Sequence, residues 1–355
     1  MNKLYRWFPR YFPLLPPSPS DVREWDVVLD PAGTPVYVPF SNGKLQVGLH
    51  RILIESGIAL TQALSASDPR SWFAMSRYGL DFAGTAPRLR FYNGATEKDS
   101  RLTAVASEEI ATGITCYLLR EHFNLDHITD AYAAIQSGDL EYVNLPSEKR
   151  PDYYCMDSNG EVVIAESKGA TGTRSSITAR IDPEGWTQVS NVRPVNHHLR
   201  RSCGRIVVGT HFCIDGLHPR TETTTIIKDP DGDTGENRNP QSDSIIRQSY
   251  AKVFRFVGEE LLAELLLTKR TLGEFPRERY QEINGVPYVL IGATPFGDLV
   301  GIYKYVAETL FQQARYSLVD KLRDILIKYR EDRHSLENLG YGLSNGIVIL
   351  HNGWH

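Results

Sequence analysis

One short stretch of the sequence, RPDYYCMDSNGEVVIAESKG, constrains the fold more than any other. Its middle, DSNG, is a turn signal between two runs that are rich in Tyr, Val and Ile. Residues 151–157 and 161–168 are therefore predicted to pair as antiparallel strands. A three-residue loop of Ser, Asn and Gly places Asp152 directly opposite Glu166, and a two-residue loop shifts that register by one residue.

Three charged side chains converge in this predicted hairpin. Facing residues of an antiparallel pair have Cβ atoms roughly 4.5–5.5 Å apart, and the two-residue period of a strand puts Glu166 and Lys168 on one face. Because carboxylates at that spacing repel each other, we expect a divalent cation between Asp152 and Glu166. Lys168 would orient or help deprotonate the attacking water and stabilise charge on a phosphate. The predicted chemistry is phosphodiester hydrolysis.

The elements around the hairpin follow a recognisable order. A helix is predicted from residue 105, where apolar residues recur at helical spacing behind Ser107 as an N-cap. The strand LEYVNL, the two hairpin strands, a helix over about 175–192 and a buried strand over 204–214 come next. The order is therefore helix, three strands, helix and strand.

The pattern of Pro151-Asp152, thirteen further residues and then Glu166-Ser167-Lys168 resembles the PD-(D/E)XK nuclease superfamily. The resemblance covers about residues 105–215 and implies an α/β fold with a mixed sheet, the restriction-endonuclease-like αβββαβ core. It also implies Mg²⁺, or Mn²⁺, as the cofactor and an acidic residue of the first helix as a further metal ligand.

Two more site residues come from this resemblance. Glu109 or Glu108 fits the place of the helix acid, and Glu109 is preferred. Many members of the superfamily carry a polar residue, often Gln, on the helix after the Lys, and Gln188 is similarly placed. The predicted catalytic set is Asp152, Glu166, Lys168, Glu109 and Gln188, with Asp152, Glu166 and Glu109 as metal ligands.

The predicted core divides the chain into three parts. Residues 1–104 contain the strand-like pieces TPVYVPF and KLQVGL and a helix near 50–65, with no assigned role. Residues 105–215 are the nuclease core, and residues 216–355 form a helical or mixed region that packs on it. That last part is predicted to hold a polar loop at 218–242, helices over about 242–269 and 304–330, and the strands PYVLIGA and GIVIL.

Composition limits how the chain could bind nucleic acid. The formal net charge is −4, so the 355-residue chain lacks the basic excess that coats a polyanion, and binding needs a local patch. Arg193, Arg200 and Arg201 cluster after the predicted active-site helix and are either a phosphate-binding ridge or an ordinary solvated face. Four cysteines without CxxC spacing predict reduced thiols and a cytoplasmic protein, and no apolar run is long enough to span a membrane.

The function that these features predict is a Mg²⁺-dependent nuclease. Members of the superfamily act in restriction, repair, recombination and defence against mobile DNA, so DNA is the favoured substrate by analogy. A binding or scaffold subunit that keeps the fold without catalysis is an alternative, as is a nuclease that a partner protein or ligand activates. The sequence leaves open whether the substrate is DNA or RNA, whether cleavage is internal or from an end, and whether the chain forms a homo-oligomer.

Overall fold

A computed structural model describes fourteen parts of the chain. They are residues 21–29, 43–62, 78, 82, 87–91, 100–143, 149–171, 174–195, 203–217, 222–228, 243–294, 297–312, 317–336 and 339–351. Helices alternate with strands of mixed direction throughout these parts, which confirms the predicted α/β class.

A seven-stranded mixed sheet forms the centre of the fold. Its strands in spatial order are β2 (Gly43–Gly48), β1 (Val22–Leu29), β9 (Thr224–Lys228), β8 (Gly204–Phe212), β6 (Val162–Thr171), β5 (Tyr153–Met156) and β3 (His127–Asp130). The pairs β1–β9 and β6–β8 are parallel, and the other neighbours are antiparallel. This sheet runs across both predicted domain boundaries, because β1, β2 and β9 lie outside the range 105–215.

A second sheet and a two-stranded ribbon complete the strands of the described residues. The antiparallel second sheet has the order β10 (Tyr280–Ile283), β11 (Val286–Ala293), β12 (Leu299–Tyr303), β14 (Ile347–Leu350) and β13 (Gly340–Gly342). The ribbon pairs β4 (Leu140–Tyr142) with β7 (Val192–Pro194). The C-terminal part is thus mixed, and the strands predicted at PYVLIGA and GIVIL are confirmed.

The helices surround these sheets. They are α1 (Leu49–Leu60), α2 (Ser100–Glu121), α3 (Ala131–Gln136), α4 (Arg174–Ala179), α5 (Trp186–Ser190), α6 (Asp243–Phe256), α7 (Glu260–Leu267), α8 (Lys304–Phe311) and α9 (Leu318–Asp332). Alternate residues of β5 enter two apolar clusters: Tyr153 and Cys155 join the one that contains α2, while Tyr154 and Met156 join the one that contains α6. The central sheet is therefore covered on both faces.

The hairpin of β5 and β6 has the predicted register. Tyr153 faces Ala165 and Met156 faces Val162, so that Asp152 and Glu166 are the next pair along the ladder. The turn closes with a hydrogen bond from the Asp157 N–H to the Glu161 carbonyl oxygen at 3.0 Å. The three-residue loop is thus confirmed.

Two predictions need correction. The strand predicted at LEYVNL is present as β4 over its first three residues, but it pairs in the separate ribbon, and the strand next to β5 in the central sheet is β3, a four-residue segment too short to show a sequence period. The predicted polar loop at 218–242 contains β9. Its threonines are buried with satisfied hydroxyls, as at Thr225, whose Oγ1 lies 3.0 Å from both Thr210 Oγ1 and Trp25 Nε1.

Three predicted helices are each two helices. The helix over 242–269 breaks at Gly258, whose φ of +81° is a left-handed conformation that stops α6. The helix over 304–330 restarts at Ser317, where the side chain accepts a hydrogen bond from the Val319 N–H. The helix over 175–192 is interrupted at Asp182, which precedes a proline and has extended dihedral angles.

The remaining predictions concern a helix cap, two strands and membrane-spanning helices. Helix α2 begins at Ser100, so Ser107 lies inside it instead of capping it, and its hydroxyl donates to the Ala104 carbonyl. The strand predicted at KLQVGL is confirmed as β2, and TPVYVPF lies outside the described residues. Within the described ranges, no helix combines the length and the apolar character needed to cross a membrane.

Candidate active site

Strand β6 carries two of the predicted site residues on one buried face. It lies between β5 and β8, and Glu166 and Lys168 are only 1% and 6% exposed. Lys168 Nζ lies 2.6 Å from Glu166 Oε1, which forms a buried ion pair. The two-residue strand period therefore brings these charges together as predicted.

Asp152 is held opposite Glu166 by two reciprocal hydrogen bonds. The Asp152 N–H donates to Glu166 Oε2 at 2.9 Å, and the Ser167 N–H donates to Asp152 Oδ2 at 3.0 Å. Each carboxylate thus replaces a backbone carbonyl where the β5–β6 ladder ends. The structure brings the predicted acid pair together at the open end of the hairpin.

Gln188 of α5 reaches the same place from the helix that follows β6. Lys168 Nζ donates to Gln188 Oε1 at 2.5 Å, and Gln188 Nε2 donates to the Arg150 carbonyl at 2.9 Å. Glu184 lies 3.4 Å from the same ammonium and was missed in the sequence. Its only signal is its position four residues before Gln188, one helical turn away.

The acid of helix α2 nearest to β6 is Glu108, and the structure does not bring Glu109 there. A Cβ on Gly169 would lie 2.1 Å from the Ser107 carbonyl oxygen, so this glycine lets α2 approach β6 closely. Glu108 Oε2 accepts a hydrogen bond from the Gly169 N–H at 3.1 Å. Glu109 instead accepts a hydrogen bond from the Tyr78 hydroxyl.

Arg180 adds a positive charge that the sequence reasoning missed. Its guanidinium donates both to Glu108 Oε1 and to the Gly169 carbonyl, so it ties the helix acid to the end of β6. The Arg180 side chain is 35% exposed and therefore keeps contact with solvent at the edge of the site. A half-exposed arginine at this point suits a phosphate.

The two carboxylates resist ionisation in the absence of a cation. Loss of hydration around the carboxylate raises the pKa of Asp152 to about 6, although the residue as a whole is exposed, and the nearby Glu108 charge adds to the effect. Burial, followed by the Asp152 charge, raises the pKa of Glu166 well above its usual range. A cation between the two carboxylates would favour their ionised forms and lower both pKa values.

Lys168 stays charged in this setting. Burial alone would lower the pKa of its ammonium, but the carboxylates of Glu166, Asp152 and Glu184 outweigh that effect and the pKa is raised. In the metal-free site the side chain is therefore a hydrogen-bond donor and a positive charge at neutral pH.

An open cleft of about 770 Å³ leads to Asp152. Segments from the end of α1, from α2, from α3 and from the residues before β5 line it. The Tyr132 side chain is 48% exposed, and the Arg150 guanidinium lies 4.9 Å from the centre of its ring. The cleft offers an aromatic face and a cation beside the acid pair, a combination typical of sites for nucleotides.

The predicted basic cluster is described only in part. Arg193 lies on β7, where its guanidinium is paired with Glu141 at 2.7 Å and remains 55% exposed. Arg200 and Arg201 lie outside the described residues. The role of the three arginines in nucleic-acid binding stays a prediction.

Comparisons with known proteins give no relative. No family model matches the chain, and no curated protein or solved structure matches it either. Inferences about its function therefore depend on the geometry of the site.

Glu108 and Glu109, which are adjacent on α2, provide a matched test of which acid belongs to the site. Glu108→Gln is expected to lower Mg²⁺-dependent cleavage by about tenfold or more, since Glu108 touches β6 and Arg180 beside Asp152. Glu109→Gln should change cleavage less than about twofold because its carboxylate contacts Tyr78. The two variants are compared by their initial cleavage rates at saturating Mg²⁺. A larger loss of cleavage in Glu109→Gln than in Glu108→Gln would contradict the prediction.

The acid pair also predicts how Mg²⁺ binding depends on pH. A carboxyl group with a raised pKa favours the folded state when it is protonated, so its contribution to stability falls as the pH rises from about 4 to about 6. A cation reverses this loss by binding the ionised pair. The increase in melting temperature caused by Mg²⁺ should therefore be small at pH 5 and reach a plateau above about pH 7.

Asp152→Asn serves as the control for this measurement, because it removes one of the titrating groups but keeps a similar shape. Its melting temperature should respond weakly to Mg²⁺ at every pH. An equal Mg²⁺ effect in wild-type protein at pH 5 and pH 7.5 would show that the pair does not bind the ion.

Proposed function

We propose that this chain is a metal-dependent nuclease with a PD-(D/E)XK active site and a restriction-endonuclease-like core. One observation carries the proposal: Lys168 contacts Glu166 and Gln188 simultaneously, while reciprocal hydrogen bonds hold Asp152 opposite Glu166. Four residues named from the sequence pattern thus meet at one point. Charged residues that served only to solubilise a strand edge would have no reason to place Glu166 and Lys168 in the interior.

The arrangement of the central strands supports the core. Helix α2, strands β3, β5 and β6, helices α4 and α5, and strand β8 follow each other in the order helix, three strands, helix and strand, apart from α3 and the short ribbon. The strands β3, β5, β6 and β8 are consecutive neighbours in the sheet. This is the element order that the resemblance implies.

The acid pair fits a divalent cation. Burial raises the pKa of both carboxylates, the Asp152 charge raises that of Glu166 further, and oxygen ligands suit Mg²⁺ or Mn²⁺. Asp152 and Glu166 would hold the ion, with Glu108 as the nearest acid of the helix. When bound, such an ion activates a water molecule and stabilises negative charge on the phosphate.

The protein's own groups supply positioning and charge. Gln188 and Glu166 fix the Lys168 ammonium on both sides, so it meets a substrate phosphate without first losing side-chain freedom. Its fixed positive charge would stabilise the phosphate oxygens as charge grows on them. The cleft beside Asp152 would receive the flanking nucleotide, with Tyr132 as the stacking face.

DNA is the substrate favoured by this proposal. The test is digestion of supercoiled plasmid, linear duplex, single-stranded DNA and RNA by purified protein with Mg²⁺, Mn²⁺ or EDTA. Cleavage of at least one substrate that needs the metal and disappears in Asp152→Asn supports the proposal. Relaxation of the plasmid before any degradation of linear DNA identifies an endonuclease. Metal-dependent cleavage that survives in Asp152→Asn would indicate a contaminating nuclease and would overturn the assignment.

A further inference from the structure

Three side chains with metal-binding atoms meet far from the acid pair in sequence. His50 lies on α1, Asp298 lies just before β12, and His351 directly follows β14. One ligand atom from each residue lies within 4.8 Å of the other two, and no other set of three His, Cys, Asp or Glu residues among those described meets this spacing. The set consists of two imidazoles and one carboxylate.

The distances within this set suit a small ion. His50 Nε2 lies 2.9 Å from Asp298 Oδ2, and His351 Nδ1 lies 3.8 Å from Asp298 Oδ1. Ligand atoms roughly 2.1 Å from a tetrahedral Zn²⁺ are roughly 3.4 Å from each other. The two distances, which end at different oxygens of Asp298, lie on either side of that value, so the three side chains need to shift toward a common ion.

Local structure fixes the carboxylate of the set. Thr294 Oγ1 donates to Asp298 Oδ2 at 2.9 Å, and the Thr294 N–H donates to the Asp298 carbonyl at 2.8 Å. These hydrogen bonds hold the Asp298 carboxylate beside the histidines. A hydrogen bond from an outer group to a ligating carboxylate is typical of metal sites.

Neighbouring groups of the protein also contact the two histidines. The backbone N–H of His351 donates to the Leu339 carbonyl at 2.9 Å, and this bond holds the end of β14. The Tyr341 ring packs 6.2 Å from the His50 ring and 5.9 Å from the His351 ring. Its hydroxyl is buried and has no hydrogen-bond partner among the described residues.

We propose that His50, Asp298 and His351 bind a transition-metal ion, with Zn²⁺ as the expected ion. Imidazole nitrogen is a good ligand for Zn²⁺ and a poor one for Mg²⁺, which takes oxygen ligands. Three protein ligands leave a fourth position for water. This site is therefore distinct in both place and metal preference from the acid pair of Asp152 and Glu166.

Such an ion would join distant parts of the chain. His50 belongs to the N-terminal helix, whereas Asp298 and His351 belong to the C-terminal five-stranded sheet. An ion that binds only when these parts are packed together stabilises the folded state, since His50 is 248 residues from Asp298 along the chain.

Titration of the metal-free, untagged full-length protein with ZnCl₂ tests the site. One equivalent of Zn²⁺ should bind and raise the melting temperature by several degrees, and Co²⁺ should give the visible absorption bands of a four-coordinate ion. His351→Ala and His50→Gln should each weaken Zn²⁺ binding by about a hundredfold or more, because each loses a direct ligand. His351→Ala is the safer variant for folding, since its side chain is 22% exposed.

Two controls separate this site from other sources of binding. His122→Gln changes a histidine that directly follows the neighbouring helix α2 and is outside the set, so this variant should bind Zn²⁺ like wild type. Asp152→Asn should also keep it, because the acid pair belongs to the other site. Zn²⁺ binding that persists in both His351→Ala and His50→Gln, or that disappears only in Asp152→Asn, would overturn the proposal, as would wild-type protein that binds none.

Discussion

Lys168→Ala should lower Mg²⁺-dependent cleavage by about a hundredfold or more and leave nucleic-acid binding close to that of wild type. This is the size of loss expected when one fixed stabiliser of transition-state charge is removed. The ammonium sits between Glu166 Oε1 at 2.6 Å and Gln188 Oε1 at 2.5 Å, so its charge is already in place before a substrate arrives. Single-turnover cleavage at saturating enzyme measures the chemical step.

Metal affinity gives this prediction a second readout. In the wild-type protein Lys168 competes with a metal ion for Glu166, because it is paired with that carboxylate. Removing the ammonium should therefore leave Mg²⁺ affinity unchanged or increase it. A variant that cleaves poorly but binds Mg²⁺ at least as well as wild type can only be explained by a direct role of Lys168 in the reaction.

The matched control is a lysine that also forms an ion pair but lies on the surface. Lys44 is paired with Glu24 at 3.2 Å and is 58% exposed, so Lys44→Ala should cleave like wild type. If Lys168→Ala cleaves at the wild-type rate, the interpretation of the site as catalytic is wrong. The hairpin would then belong to a binding or scaffold subunit that has kept the residues of a nuclease.

The hairpin shows what local sequence can determine. Its register follows from a turn signal and two short β-rich runs, all within a few residues of one another, so the facing of Asp152 and Glu166 was predictable. The family resemblance named Gln188 as a site residue on the helix after Lys168, and the structure places it in contact with that lysine. Both features depend on elements that are adjacent in the chain.

Features set by packing could not be predicted in this way. Glu108 and Glu109 are neighbours on α2, and the choice between them depends on how the helix is rotated against β6, which the close approach at Gly169 decides. Strand β9 looked like a polar loop because its threonine hydroxyls find partners only in the folded sheet. The set of His50, Asp298 and His351 has no local signal, since its members come from segments that meet only by tertiary packing.

Asp152→Asn should produce the largest effect, a loss of cleavage of about a thousandfold together with a clear loss of Mg²⁺ affinity. A metal ion that stabilises developing charge contributes several kcal/mol to the barrier, and each roughly 1.4 kcal/mol is a factor of ten in rate. Asn keeps the oxygen that accepts the Ser167 N–H, so the hairpin should remain intact. Cleavage rates across a range of Mg²⁺ concentrations, with isothermal titration of the metal, measure both losses.

The same variant should fold at least as well as wild type, which excludes unfolding as the reason for lost activity. The pKa of Asp152 is raised to about 6, so at pH 7.5 and without metal its ionised form opposes folding, and a neutral amide removes that cost. The melting temperature of Asp152→Asn in EDTA should therefore equal or exceed that of wild type. Asp324→Asn, at a side chain that is 84% exposed, is the control and should change neither cleavage nor metal binding. A clearly lower melting temperature in Asp152→Asn would mean that the ionised carboxylate stabilises the hairpin without a cation, which contradicts the prediction.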